Sequence, residues 1–444
     1  MHRNAILSLV TILSALLLGS GGARGEASFA APATASELDL MKGFPPPADK
    51  QITRRNFMEA PQNRWAFQHI REIQPTREIY RGSGPVSELA FKSVALDDLE
   101  VEISDGRRVS VSRWQSEAYT DAMLVLHRGV IVYEKYLNGM TPHTQHVVFS
   151  VTKSFVGAMM LALIEADLVD PALPVAHYVP ELKQSAFGDA IVQQVLDMTT
   201  AVAYSEVYDD PDSDIARYGH VFRIWGAPPA NYDGPASVYE YLPTLKKKGE
   251  HGRAFHYVTP NTDVLGWILS RVTNLSVAEA MSTMLFQPMG AERDAYLWLD
   301  ASGREMAGGG LSLTARDSAR FGQMILQKGQ FNGRQVLPAA AAERILQAGD
   351  PAPFNRYYQD PWFEQVGYAY HDQWWTFNNA HKAVSAMGVH GQLIYIDPVA
   401  QMVVVKFSSD PEAESDINET DGPLVYHAIA EHLMKRIESE EKIR

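Results

Sequence analysis

The stretch Ser150–Val169 (SVTKSFVGAMMLALIEADLV) carries apolar residues at helical spacing on every side, and only a helix enclosed by neighbours on all faces can use such a pattern. The chain must therefore surround this helix with other elements. It is long enough: 444 residues, 46% of them apolar and 21% charged, exceed what a disordered chain or a small stapled scaffold would show. Fifty-three acidic side chains against 39 lysines and arginines leave a formal net charge of −14, the wrong sign for a nucleic-acid partner. With no cysteine, disulfides, thiolate nucleophiles and Cys-containing zinc sites are excluded.

Strands are expected on both sides of this helix. Ala122–His127 and Val130–Tyr136 are β-rich runs joined by Arg128-Gly129, which predicts a hairpin. Leu393–Asp397 and Met402–Phe407 flank a turn at Pro398, and a last helix is expected from about Pro423 to Glu440. Strands near both termini with a helical middle predict an α+β fold, one antiparallel sheet with helices packed on it and a helical insert.

At the other end, Met1–Arg3 is basic, Ala5–Leu18 is apolar and Gly19–Gly25 is rich in small residues, the order of parts in a secretory signal peptide. The apolar run of about 14 residues falls short of the roughly 20 that span a bilayer. A periplasmic or secreted protein without a stable membrane anchor is expected. The Pro-rich stretch after it, to about Arg81, reads as a surface wrap of ill-defined structure.

Ser150 and Lys153 stand three apart, so on a helix both side chains share one face. A lysine buried beside a serine loses its proton more readily and can serve as its base, and the backbone N–H of a serine at the first turn points free of the helix. The plain alternative is a helix cap with a snorkelling lysine, and Ser439-Glu-Glu-Lys442 shows that the spacing alone proves little. Two further elements follow in order. Phe255–Trp267 is a loop entering an apolar helix and carries Tyr257, able to shuttle a proton to a leaving group, and Thr259. Gly388-Val-His-Gly-Gln392 is a Gly-rich entry to a strand where backbone can approach a ligand. No His-Glu-x-x-His helix, phosphate loop or Gly-x-Ser-x-Gly elbow is present, so neither metal nor cofactor is expected.

The order Ser-x-x-Lys, Tyr-x-Thr and a Gly-containing third motif resembles the serine β-lactamase and penicillin-binding-protein superfamily. Leu196–Thr200, Tyr208–Pro211, Tyr257–Trp267, Gly309–Asp317, Gln373–Trp375 and Gly388–Gln392 are similar to its 6-aminohexanoate-dimer hydrolase and carboxylesterase branch. The resemblance implies a β-lactamase/transpeptidase-like fold in a domain over 91–444, with an α/β part (91–149 and 380–444) and a helical part (150–379), behind a signal peptide (1–25) and an extension (26–90). It implies Ser150 as nucleophile, Lys153 as base, Tyr257 as proton donor, and the N–H groups of Ser150 and Val389 as the oxyanion hole. Tyr208, Thr259, Trp375 and His390 would line the substrate.

The chain departs from the pattern twice. Ala386–Gly391 has no lysine to hold a β-lactam carboxylate, and the position of an aspartate that nylon-dimer hydrolases can use for the amine end is Gly219, although the neighbouring acids Asp209, Asp210, Asp212 and Asp214 could supply charge. The expectation is a hydrolase of small esters and, more slowly, linear amides. A 6-aminohexanoate-dimer hydrolase, a DD-peptidase or β-lactamase, and a catalytically silent binding protein on the same scaffold are the alternatives. The sequence sets no oligomeric state.

Overall fold

The computed structural model describes residues 30–224, 226, 232–359 and 361–443, so the signal-peptide reading lies outside the described residues. Its main sheet has eight strands: β1 (Ala90–Phe91), β2 (Thr120–His127), β3 (Val130–Tyr136), β4 (Tyr368–His371), β5 (Trp374–Phe377), β6 (Val384–Gly388), β7 (Gln392–Asp397) and β8 (Met402–Ser408). They lie in the order β4-β5-β6-β7-β8-β2-β3-β1. All neighbours are antiparallel except β1, which runs parallel to β3 at one edge. The β2–β3 hairpin closes at Arg128 (φ 52°) and Gly129 (φ 79°), the left-handed pair that a two-residue turn matched to strand twist requires. The chain's two ends meet in the middle of the sheet, where β8 pairs with β2 from Met402↔His127 to Phe407↔Ala122.

Every residue of β2, β7 and β8 is buried, which explains why these strands read as apolar runs without alternation. The alternation is still there, divided between two cores. Leu124, Leu126, Ile394, Val403 and Val405 face one core, which is filled by helices α2 (Val151–Glu165) and α4 (Ala315–Leu326). Met123, Val125, Leu393, Tyr395 and Val404 face the other, covered by α1 (Val111–Glu117) and the C-terminal α5 (Asp421–Ile443). Helix α4 lies close because Gly322 faces β8; a Cβ there would stand 2.6 Å from Val403 Cγ1. Residues Val151–Leu161 of α2 are all buried, as its all-round apolar pattern requires.

Two expectations change. The Pro-rich segment is no loose wrap: Phe57, Phe67, Ile70 and Ile79 are fully buried, and Arg64 forms a buried ion pair with Asp121 at 2.9 Å. Thr76–Ile79 pairs with Ala295–Trp298 in a second, four-stranded sheet that also holds Leu311–Leu313 and His146–Val147. Its apolar residues are isolated plugs without a period, so no element signal marked them. The stretch read as helical, 150–379, also contributes β4 and β5 to the edge of the main sheet. The architecture is otherwise the α+β arrangement expected, one sheet from both termini with helices on both faces.

Candidate active site

Ser150 ends a sharp turn at the start of α2 (Val151–Glu165). Phe149 before it sits at φ 44°, a left-handed conformation that a bulky residue holds only when its surroundings enforce it. They do so here: the Phe149 ring packs against Phe67, Trp298 and His390, and Thr152 Oγ1 donates to Phe149 O at 2.6 Å. Helix α2 then places Lys153 one turn on, with Nζ 2.9 Å from Ser150 Oγ.

Lys153 is 1% exposed, and its Nζ also donates to Gly308 O at 2.6 Å. Burial lowers its pKa to about 8, against the opposing pull of Glu206 and Asp263. The Gly308 carbonyl is delivered by a loop that Asp263 holds: Oδ1 accepts from the N–H groups of Ala307 (3.0 Å) and Gly308 (3.3 Å), and Oδ2 accepts from Tyr218 Oη at 2.6 Å. Burial raises the Asp263 carboxyl to about 7. Only glycine fits at 308, since a Cβ would come within 2.7 Å of Thr259 Cγ2.

Tyr257 enters from the loop before helix α3 (Pro260–Thr273) and borders the same cavity as Ser150. Burial, and then the Glu206 charge, push its pKa well above the ordinary value, so the phenol keeps its proton. The ring lies 5.0 Å from Lys153 Nζ and stacks on Trp375 at 5.7 Å between centroids. Trp375 follows the tight turn Asp372-Gln373 (φ 51° and 68°), which slots against Gly157 of α2; a Cβ on Gly157 would stand 2.5 Å from Asp372 O.

The third motif closes the site. A Cβ on Gly388 would lie 3.0 Å from Ser150 N and 2.4 Å from Val148 O, so the end of β6 runs directly beside the serine backbone. Gly388, Val389 and Ser150 border one cavity of about 350 Å³, together with Glu206, Tyr208, Tyr257, Tyr357, Tyr358, Tyr368, Trp375 and Glu414. A hydroxyl with an amine ready to lose its proton, a neutral phenol and convergent backbone beside an aromatic cavity is equipment for acyl transfer.

Three expected positions fall elsewhere. His390, expected at the substrate, is 5% exposed and points away from the cavity: Nδ1 bonds Asp410 O at 2.8 Å, the ring packs on Phe67, and burial lowers its pKa. Its φ of 62° turns the backbone and directs the side chain inward. Thr259 is buried and grips Glu206 instead of a substrate, through its N–H (2.8 Å) and its hydroxyl. Gly219 is buried in the helix Asp214–Val221 and does not border the cavity.

Several carboxylates do border it, and sequence reasoning missed them. Glu206 accepts from Tyr208 Oη at 2.7 Å; burial raises its pKa, opposed chiefly by Lys153. Glu414 is raised to about 7 by burial and then by the Glu206 and Asp209 charges, and burial followed by Glu414 lifts Glu419 well above its ordinary value. None of these three glutamates belongs to a motif, and only the folding of two separate segments brings them together.

A family model described as Beta-lactamase matches residues 107–422. A 6-aminohexanoate-dimer hydrolase of Paenarthrobacter ureafaciens is 37% identical over 377 residues, 84% of this chain and 92% of that protein. A solved structure from Bacillus anthracis, provisionally named a 6-aminohexanoate-dimer hydrolase, is 32% identical with a TM-score of 0.79, covering 88% of this chain and 99% of that one. The penicillin-binding protein homologue of Pyrococcus abyssi, 20% identical with a TM-score of 0.54 over 73% of this chain and 76% of that one, shares the fold. Together with the geometry around Ser150, these similarities make the protein a serine hydrolase, and the chain belongs to the β-lactamase family.

Proposed function

We propose that the protein is an exported hydrolase that cleaves small linear esters, and linear amides whose far end carries an amine, through an acyl-enzyme on Ser150. The observation that carries the chemistry is the 2.9 Å contact of Lys153 Nζ with Ser150 Oγ in a buried site where the amine's pKa is lowered to about 8. Neutral Lys153 takes the Oγ proton as Oγ attacks the substrate carbonyl, and the N–H groups of Ser150 and Val389 receive the oxyanion. Tyr257 delivers a proton to the departing alkoxide or amine and regains one through Lys153. Water then attacks the acyl-enzyme with its proton passing to the same amine, which releases the acid and restores Ser150.

The cavity supports the substrate class. Tyr357, Tyr358, Tyr368 and Trp375 form an aromatic wall suited to an alkyl chain, and Glu206 and Glu414 offer the negative charge that Gly219 does not. The Paenarthrobacter relative is named for the 6-aminohexanoate dimer, a linear amide with an amine end. Among the described residues that border the cavity none is a lysine or arginine, so a β-lactam carboxylate has no cation to meet. The leader pattern of Met1–Gly25 supports export to the periplasm or medium, checked by N-terminal sequencing of the mature protein.

The test is labelling with a fluorophosphonate and mapping of the adduct, followed by turnover of p-nitrophenyl butyrate, the linear 6-aminohexanoate dimer and nitrocefin. The adduct is expected on Ser150, with turnover highest for the ester and lowest for nitrocefin. Labelling elsewhere, or nitrocefin turnover above the ester rate, overturns the reading.

A further inference from the structure

Away from the cavity, the C-terminal helix α5 (Asp421–Ile443) meets the turn between β5 and β6, and three donor side chains converge there. His381 stands in that turn. Its Nδ1 bonds Asp397 Oδ2 at 2.6 Å, and Asp397 is fully buried and held in turn by Ala400 N–H at 2.9 Å. This bond fixes the ring and leaves Nε2 directed at Glu431 Oε1, 3.5 Å away. His427 lies one turn before Glu431 on the same helix face, its ring 4.6 Å from that of His381. His381 has a hydrogen bond on Nδ1 and only the 3.5 Å ion-pair contact with Glu431 on Nε2, and His427 Nδ1 is enclosed and has no hydrogen-bond partner among the described residues. A buried ring nitrogen without a partner calls for an explanation.

We propose that His381, His427 and Glu431 bind a borderline divalent transition-metal ion, with Zn2+ as the representative, that clasps the C-terminal helix to the sheet. The three donor atoms lie within 4.8 Å of one another. Tetrahedral zinc with bonds of about 2.0–2.1 Å sets its ligands about 3.3 Å apart, so His381 and Glu431 are already near that separation and side-chain rotation of His427 closes the rest. The carboxylate of Asp397 behind the His381 ring is the outer partner that metal-bound histidines characteristically have. Two nitrogens and one oxygen suit zinc and not magnesium or calcium, which select oxygen. Glu431 is 37% exposed, so an ion reaches the site from solvent and water completes the coordination.

The test uses the full-length protein stripped with chelator. Calorimetric titration with ZnCl2 is expected to show one equivalent per chain at micromolar or tighter Kd, and excess Zn2+ is expected to raise Tm by several degrees, while Mg2+ does neither. His381→Gln and His427→Gln remove the equivalent and the Tm rise, with p-nitrophenyl butyrate turnover retained as proof of folding. Glu431→Gln, at a more exposed position, weakens binding at least tenfold and carries the test if a histidine variant does not fold. Absence of a zinc-dependent Tm shift, or undiminished zinc binding in the variants that fold, overturns the proposal.

Discussion

Replacing Lys153 by methionine separates catalysis from stability, because the two should move in opposite directions. The amine's pKa falls from its ordinary 10.5 to about 8, and at about 1.4 kcal/mol per pH unit this drop places the penalty for holding the charged lysine in the fold at about 3 kcal/mol. Methionine removes the penalty but leaves Gly308 O without its donor, a loss of about 1–3 kcal/mol. The variant should therefore be as stable as the parent, or up to about 2 kcal/mol more stable, at pH 7. The sign of the pH dependence follows from proton binding: between about 8 and 10.5 the unfolded chain holds the Lys153 proton and the folded chain does not. Parental stability thus rises relative to the variant across that window, and the variant's advantage fades. Turnover moves the other way. With a base of pKa about 8, roughly a tenth of the parent is active at pH 7, so kcat/KM for p-nitrophenyl butyrate should climb nearly tenfold per unit below pH 8 and level off above it. The variant should lose about 10²–10⁴-fold and the climb with it. Urea denaturation across pH and stopped-flow ester hydrolysis read both effects. A parental profile flat from pH 6 to 9, or a variant within a few-fold of the parent, would refute Lys153 as the base.

Ser150→Ala should abolish fluorophosphonate labelling and ester turnover while leaving Tm near the parental value. Gly388→Ala places a methyl 3.0 Å from Ser150 N and 2.4 Å from Val148 O, so acylation should slow about 10²–10³-fold in single-turnover kinetics, as for a lost oxyanion donor. Glu414→Gln should raise KM for the linear 6-aminohexanoate dimer while leaving p-nitrophenyl butyrate unchanged, and equal effects on both would remove Glu414 as an amine contact. Because its carboxyl sits near 7 and ionises as pH rises, KM for the dimer in the parent should fall from pH 6 to 8, before any other group of the substrate titrates.

The residues around Ser150 were legible because their chemistry is local. A serine and a lysine one helical turn apart share a face wherever the helix goes, and a glycine between apolar residues marks backbone approach without any knowledge of what approaches. The acids of the cavity obey no such rule. Glu206 is aimed by Thr259 and Tyr208, and Glu414 by the path of the chain after Asp410, so their meeting depends on loop geometry that carries no period. Counting residues along such a loop led to Gly219, but the chain there folds into the helix Asp214–Val221 and turns that position into the core. The edge strands β4 and β5 stayed hidden for a related reason. Their connecting turn has Asp372 and Gln373 both at positive φ, and glutamine there gives no turn signal. What holds Gln373 in place is tertiary: its side chain donates to Leu196 O at 2.9 Å and accepts from Thr262 Oγ1 at 2.6 Å. The turn that presents Trp375 to the substrate cavity is thus imposed by α3 and the segment before Asp197. A change as remote as Thr262→Val should register as a shift in KM before it registers in the chemistry at Ser150, because it loosens the wall of the cavity and leaves the Lys153 contact intact.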